Sequence, residues 1–124
     1  MSAVLVDSNV LLDILTEDQR WSAWSMRALA DAADSQRLVI NAIVYAEISV
    51  HYSRIEDLDA ALPVTALERE PLPFAAAFLA GKCFLAYKRR GGSKQLPLPD
   101  FFIGAHAAVA GYTLMTRDPS RYRT

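Results

Sequence analysis

The chain has 124 residues, with 13 Lys plus Arg against 14 Asp plus Glu, which describes one small, nearly neutral domain with no room for a second. Hydrophobic residues make up 52% and charged residues 22%, ordinary globular usage that supplies a buried core and excludes global disorder. The longest apolar run, Phe74 to Gly81, is far shorter than the roughly 20 residues that span a bilayer. Asp7 interrupts the apolar run near the N-terminus and no basic segment precedes it, so no secretory signal is expected. The single Cys83 lacks a partner for an internal disulfide or a Cys-based zinc site, which makes a reducing cytoplasm the expected setting.

Ala3 to Val6 is a short β-rich run that stops at Asp7. Ser8-Asn9 follows, and Val10 to Leu15 is apolar at helical density, so the segment reads as strand, polar turn and helix. From Trp21 the positions Trp21, Trp24, Ala28, Leu29 and Ala32 recur at three- and four-residue steps, an amphipathic helix that fades near Ser35. Leu38 to Ile40 is a second strand, and Ala42 to Tyr52 a third helix that carries Glu47 among Ile43, Tyr45, Ala46 and Val50. A small helix follows from about Glu56 to Leu62, Pro63 stops it, and Val64 to Leu67 is expected to be the third strand. Pro71 and Pro73 introduce a long helix from about Phe74 to Arg90, apolar around most of its circumference, hence expected to be buried on two sides, and ended by Gly91-Gly92. Gly91 to Pro99 reads as a loop. Asp100 begins a helix to about Ala110, Tyr112 to Thr116 is a fourth strand, and Arg117-Asp118-Pro119-Ser120 is turn chemistry.

Short apolar strands alternating with helices predict an α/β domain, a parallel sheet covered on both faces, whose ligands collect at the carboxyl ends of the strands. The acids sit where that rule asks. Asp7 follows the first strand, Asp118 follows the fourth, and Glu47 lies two turns into the helix after the second; topology alone does not place Asp100 beside them. Each acid also has a structural explanation, Asp7 or Asp100 as a helix cap and Asp118 as an Asx turn. As a group they are harder to explain that way, because two carboxylates about 4 Å apart repel by roughly 4 kcal/mol at an effective dielectric of 20. Such a cluster needs protons or a cation, and oxygen ligands without histidine select Mg²⁺ or Mn²⁺. His51 and His106 do not form a ligand-spaced pair and read as ordinary helix-face residues.

Charge is unevenly spread. Residues 1 to 81 carry five basic and twelve acidic side chains, and residues 82 to 124 carry eight basic and two acidic ones. A basic C-terminal third suits a polyanion that docks locally. Lys88, Arg89, Arg90 and Lys94 flank the loop leading into Asp100, where they would hold a phosphodiester backbone while the acids hold the metal. Surface solvation of a helix end is the competing explanation. Gly91-Gly92-Ser93-Lys94 lacks the earlier glycine and the preceding strand of a phosphate-binding loop, and no serine lies in a nucleophile-elbow pattern.

Four blocks occur in order: Val4-Leu5-Val6-Asp7-Ser8-Asn9-Val10-Leu11-Leu12-Asp13, Tyr45-Ala46-Glu47-Ile48, Leu98-Pro99-Asp100-Phe101-Phe102-Ile103-Gly104-Ala105-His106-Ala107 and Leu114-Met115-Thr116-Arg117-Asp118. Together they resemble the PIN domain, specifically the VapC-type ribonuclease toxins of toxin–antitoxin pairs. The resemblance implies a parallel sheet in the order 3-2-1-4-5 and a metal-dependent endoribonuclease. Asp7, Glu47 and Asp100 would form the acidic core, with Asp118 a peripheral fourth acid. Asp7 and Asp100 would ligate Mg²⁺ or Mn²⁺ directly, with Glu47 and Asp118 acting partly through water. Ser8, Asn9 and Thr116 would orient carboxylates or water. A homodimer and a VapB-type antitoxin are the implied partners, with the Trp21 and Trp24 helix and Leu11, Leu12 and Leu15 offering an apolar surface for the antitoxin or, alternatively, packing in the core. Family members continue past the last block into another strand, so the fifth strand is expected to be shortened or missing here. The alternative reading is a catalytically silent PIN-like module that binds RNA or protein without turnover.

Overall fold

The computed structural model describes residues 3–91 and 98–119. The elements follow in the order β1 (Ala3–Val6), α1 (Ser8–Leu15), α2 (Ser22–Ala33), β2 (Arg37–Ile40), α3 (Ala42–Ser49), α4 (Ile55–Ala61), β3 (Glu68–Arg69), α5 (Phe74–Arg89), α6 (Leu98–Ala110) and β4 (Thr113–Met115). Among the described residues the strands form one sheet in the order β3-β2-β1-β4. All its pairings are parallel, with Leu5 opposite Val39 on one side and Leu114 on the other. This is the expected architecture without its fifth strand among the described residues.

β1 is buried along its whole length, as an apolar strand covered on both faces must be. Leu5, Val6, Val10, Val39, Ile40, Val44, Ile48 and Ile103 are 0% exposed and join sheet to helices in the main core. The chain runs from β1 to β2 and β3 in one direction, then returns to place β4 on the other side of β1. That reversal opens a crevice at the carboxyl ends of β1 and β4, the place where open parallel sheets bind ligands.

Three expectations change. The third strand is Glu68–Arg69, because Pro63 O accepts from both Ala66 and Leu67 N–H at 3.0 Å and makes the expected stretch a turn. Within that turn only Leu67 anchors inward. The last long helix starts at Leu98, two residues early, since proline is tolerated in a helix's first turn. The third change concerns α5, which is covered on one side and not two. Ala76, Ala80 and Tyr87 face inward, whereas Phe74 and Phe78 are 94% and 68% exposed.

α5 and α6 form an antiparallel pair. Ala76 and Ala80 pack with Ala105, and at the other end Phe84 and Tyr87 meet the Phe101 ring at 5.6 and 5.8 Å between centroids. The small residues bring the helices close, and the aromatic end sets the turn of α6 that bears Asp100. Among the described residues no helix is long and apolar enough to cross a membrane.

Candidate functional site

β1 hands directly to α1 at Asp7, whose extended backbone and carboxylate cap the helix. Asp7 Oδ1 accepts from Ser8 N–H at 2.7 Å, and the positive end of the helix favours a carboxylate there. Its own N–H donates to Met115 O at 2.9 Å, which ties it to the end of β4. The residue is 2% exposed, so its position is set by backbone pairing and not by solvent.

Two hydroxyls extend this anchor to other acids. Ser8 Oγ donates to Glu47 Oε1 at 2.8 Å and lies 3.5 Å from Asp7 Oδ1. One side chain therefore touches both carboxylates. Thr116 Oγ1 accepts from Asn9 Nδ2 and from Asp118 N–H, each at 3.1 Å. A hydroxyl has one hydrogen and two lone pairs; both lone pairs being used, the hydrogen goes to Asp7 Oδ2 at 2.9 Å. Asp7, Glu47 and the Asp118 backbone are thus linked through Ser8, Asn9 and Thr116, six of the expected site residues.

Asp100 is 4% exposed in the first turn of α6. Its helix is held to α3, the Glu47 helix, by a buried pair. Asn41 caps α3 through Oδ1, accepting from Val44 N–H at 3.0 Å, which leaves Asn41 Nδ2 facing His106 Nδ1 at 3.0 Å. An amide nitrogen only donates, so Nδ1 accepts and the neutral ring carries its proton on Nε2. That nitrogen is buried with no hydrogen-bond partner among the described residues. Burial pushes the His106 pKa below its usual value, with nearby Glu70 acting weakly in the opposite direction. His106 is therefore a core residue 0% exposed, not the helix-face residue expected.

Among the described residues no three His, Cys, Asp or Glu side chains converge into a ready-made metal cage. Mg²⁺ does not require one, since it keeps several waters and is held through one or two carboxylates. All-oxygen donors, with Asp7 and Asp100 buried and half-buried Glu47 contacting the same hydroxyl as Asp7, fit an ion of that kind. Lys88 and Arg89 occupy the last turn of α5 and Arg90 its C-cap, all exposed, beside the Tyr87–Phe101 contact and hence near the start of α6. Lys94 lies outside the described residues. An open cleft of about 440 Å³ between Ile40, Tyr45, Ile55 and Pro71 includes none of the candidate acids.

Two groups beside this network carry no clear functional signal in the sequence. Asp13, one turn along α1 from Asn9, is buried and paired with Arg117 Nε at 2.8 Å. Asn41 is 2% exposed and joins the two acid-bearing helices. Asp13 stands in the first sequence block and Arg117 in the last, a weak signal. On the partner surface, Trp24 is 42% and Met26 57% exposed, whereas Leu11 is buried and Leu12 and Leu15 pack partly against the core.

The family model of the PIN domain matches residues 4–124. A search of curated proteins by sequence found no match. Among solved structures, the chain is similar to VapBC2 from Rickettsia felis bound to a DNA fragment from their promoter, with a TM-score of 0.74 at 18% identity, over 98% of this chain and 93% of that one. It is similar to VapBC-1 from nontypeable Haemophilus influenzae with a TM-score of 0.74 at 18% identity, over 98% and 90% of the two chains. DNA-bound VapBC from Salmonella typhimurium gives a TM-score of 0.72 at 18% identity, over 100% and 92%. At such identities the likeness is one of fold.

Proposed function

This chain belongs to the PIN domain family, and from that premise we propose that it is a metal-dependent endoribonuclease of the VapC type, the toxin of a toxin–antitoxin pair. The observation that carries the reading is the hydroxyl-linked set at the β1–β4 crevice, in which Ser8 and Thr116 hold Asp7, Glu47 and the Asp118 backbone in one network. The VapBC complexes that share the fold support the toxin assignment.

In this reading Asp7 and Asp100 hold Mg²⁺ or Mn²⁺, and Glu47 and Asp118 act partly through bound water. A cation held there would supply neutralisation of the phosphate charge and activation of a water for attack. Ser8 keeps Glu47 aimed at the crevice, and Thr116 and Asn9 keep Asp7 and the Asp118 segment in place, as groups behind metal ligands do. Lys88, Arg89, Arg90 and Lys94 hold the RNA backbone by charge, which positions the strand without reading its sequence. In-line attack by water leaves 5′-phosphate and 3′-hydroxyl ends. A cytoplasmic setting supplies RNA and a VapB-type antitoxin, which would seat on the α1–α2 surface around Trp24.

A homodimer fits the exposed face of α5. Phe74, Phe78, Gly81 and Leu85 follow one another at alternating four- and three-residue steps, the spacing of a helix-packing seam, and nothing lies within 4 Å of where a Gly81 Cβ would stand. In an antiparallel crossing centred on Gly81, the apolar residues of the two copies face one another, and the two Lys88–Arg89 ends point apart and stay free for RNA. A parallel crossing would instead set the two Lys88–Arg89 ends side by side.

The test is cleavage of mixed single-stranded and structured RNAs by antitoxin-free protein with Mn²⁺ or Mg²⁺, with EDTA, and with a folded Asp100→Asn variant. Metal-dependent cutting lost in the variant supports the reading. RNA binding without metal-dependent cutting would select the silent binding module, and 2′,3′-cyclic phosphate products would overturn the water mechanism.

A further inference from the structure

One buried carboxylate next to the site has no part in the mechanism above. Asp13 is 2% exposed, and its Oδ2 accepts from Arg117 Nε at 2.8 Å and from Ser25 Oγ at 2.9 Å. The Arg117 guanidinium also lies 5.4 Å from the centroid of the Trp21 ring, whose edge-on partner is Trp24 at 6.0 Å. Its backbone N–H points to Asn9 Oδ1 at 3.4 Å. A buried ion pair is weak evidence for stability, since apolar residues of similar volume often replace it without loss. Its position in the chain suggests another use: Arg117 stands between Thr116, whose hydroxyl holds Asp7, and Asp118, whose N–H is held by Thr116.

We propose that the Asp13–Arg117 pair, roofed by Trp21, is a positioning element that clamps the Thr116–Asp118 segment onto α1 and so fixes how the Asp7 and Asp118 carboxylates are presented to the metal. Asn9 and Asp13 are one turn apart on the same face of α1, so the segment is gripped at two points, and a rigid body of two contacts resists the rotation that one would permit. The proposal rests on the metal-nuclease reading. It gives Arg117 a role different from the other cations near the site: its charge is spent on Asp13 and not on RNA, although its side chain is 32% exposed.

The experiment compares the full chain with Arg117→Gln and Asp13→Asn, well below each melting temperature. It measures Mn²⁺ affinity by the electron paramagnetic resonance of free ion, steady-state kinetics on RNA, and amide exchange at residues 116 to 118. Both variants are expected to weaken Mn²⁺ binding by about 10- to 100-fold, the usual consequence of losing a group behind a metal ligand, to lower kcat, to leave KM for RNA unchanged and to speed exchange in that segment. Asp13→Asn keeps an acceptor in place and carries the test if Arg117→Gln does not fold. Wild-type Mn²⁺ affinity in folded variants would overturn the clamp and leave the nuclease reading standing. A raised KM in Arg117→Gln alone would also overturn it, by making Arg117 an RNA contact. A wild-type protein that binds no Mn²⁺ would remove the nuclease reading and the clamp with it.

Discussion

Asn41 and His106 are 65 residues apart in sequence and form one buried hydrogen bond, and a double-mutant cycle on them tests whether the acid-bearing helices are held together by that bond. Asn41→Ala removes the α3 cap, at a cost of about 1 kcal/mol. It also leaves His106 Nδ1 buried without a donor, which costs about 1–3 kcal/mol more. His106→Leu keeps the cap but strands Asn41 Nδ2, with a penalty again of about 1–3 kcal/mol. In the double variant only the cap is missing, because neither orphan group remains. The two single losses should therefore sum to at least about 2 kcal/mol more than the double loss, within the range seen for contacting residues. The assay is urea unfolding followed by circular dichroism, with stability compared at constant m. Additivity within about 0.5 kcal/mol would show that the pair is adjacent but not coupled, and that α3 and α6 are aligned by apolar packing alone.

The same ring makes stability depend on pH: burial lowers the folded-state pKa of His106 beneath its ordinary 6.5, so the unfolded chain binds the proton more readily. The contribution is complete above about pH 6.5 and is lost as pH falls below it towards the folded value; His106→Leu should flatten that part of the stability profile, and an unchanged slope would remove His106 as the cause. Thr116→Val breaks three hydrogen bonds of the site network and should cost about 2–3 kcal/mol and lower activity by about 10- to 100-fold, whereas Thr116→Ser should retain most of both. Equal loss in both variants, measured by melting and RNA cleavage, would show that the hydroxyl alone does not carry the effect. Trp24→Ala should lose about 1 kcal/mol of stability with its edge-on ring contact but weaken antitoxin binding by more than about tenfold, or 1.4 kcal/mol, in a titration; equal losses of folding and binding would place Trp24 in the core. Sedimentation velocity should find the proposed homodimer in the unaltered chain and a folded monomer for Phe78→Asp; a dimer that survives the change would move the interface off α5.

Much of the fold was legible because its signals are local. Ala3 to Val6 followed by Asp7 gives a strand and a helix cap within a few residues, and the apolar spacing after Asn41 gives the helix that carries Glu47. The sequence could not show what depends on pairing across the chain. Arg117 and Asp13 meet across 104 residues, and nothing in either neighbourhood announces the partner. His106 looked like a helix-face residue because a neutral imidazole is compatible with either side of a helix, and only the Asn41 amide decides the matter. α5 differs for a related reason: apolar residues around most of a helix are compatible with burial on two sides or one, and only the packing of Ala76, Ala80 and Tyr87 decides which. The third strand failed on turn chemistry, since Pro63 O collects two N–H groups before the chain can extend.

The acids themselves raise an energetic problem that the structure answers in part before any ion binds. Carboxylates that share contact with one hydroxyl, as Asp7 and Glu47 do, repel by a few kcal/mol at an effective dielectric of about 20, a sizeable share of the roughly 5–15 kcal/mol that holds a domain folded. Asp7 meets this with a donor on each oxygen, Ser8 N–H on one and the Thr116 hydroxyl on the other, and with the positive end of α1 behind it. Glu47 has the Ser8 hydroxyl. These donors satisfy the carboxylate oxygens and fix their directions, so the carboxylates are oriented before the metal arrives. It follows that removing a donor such as Thr116 should act on metal affinity more than on RNA affinity, because in the proposed reading the basic end of α5 would hold RNA through groups this network does not touch. A Thr116→Val variant with wild-type Mn²⁺ affinity and a raised KM for RNA would reverse that division of labour.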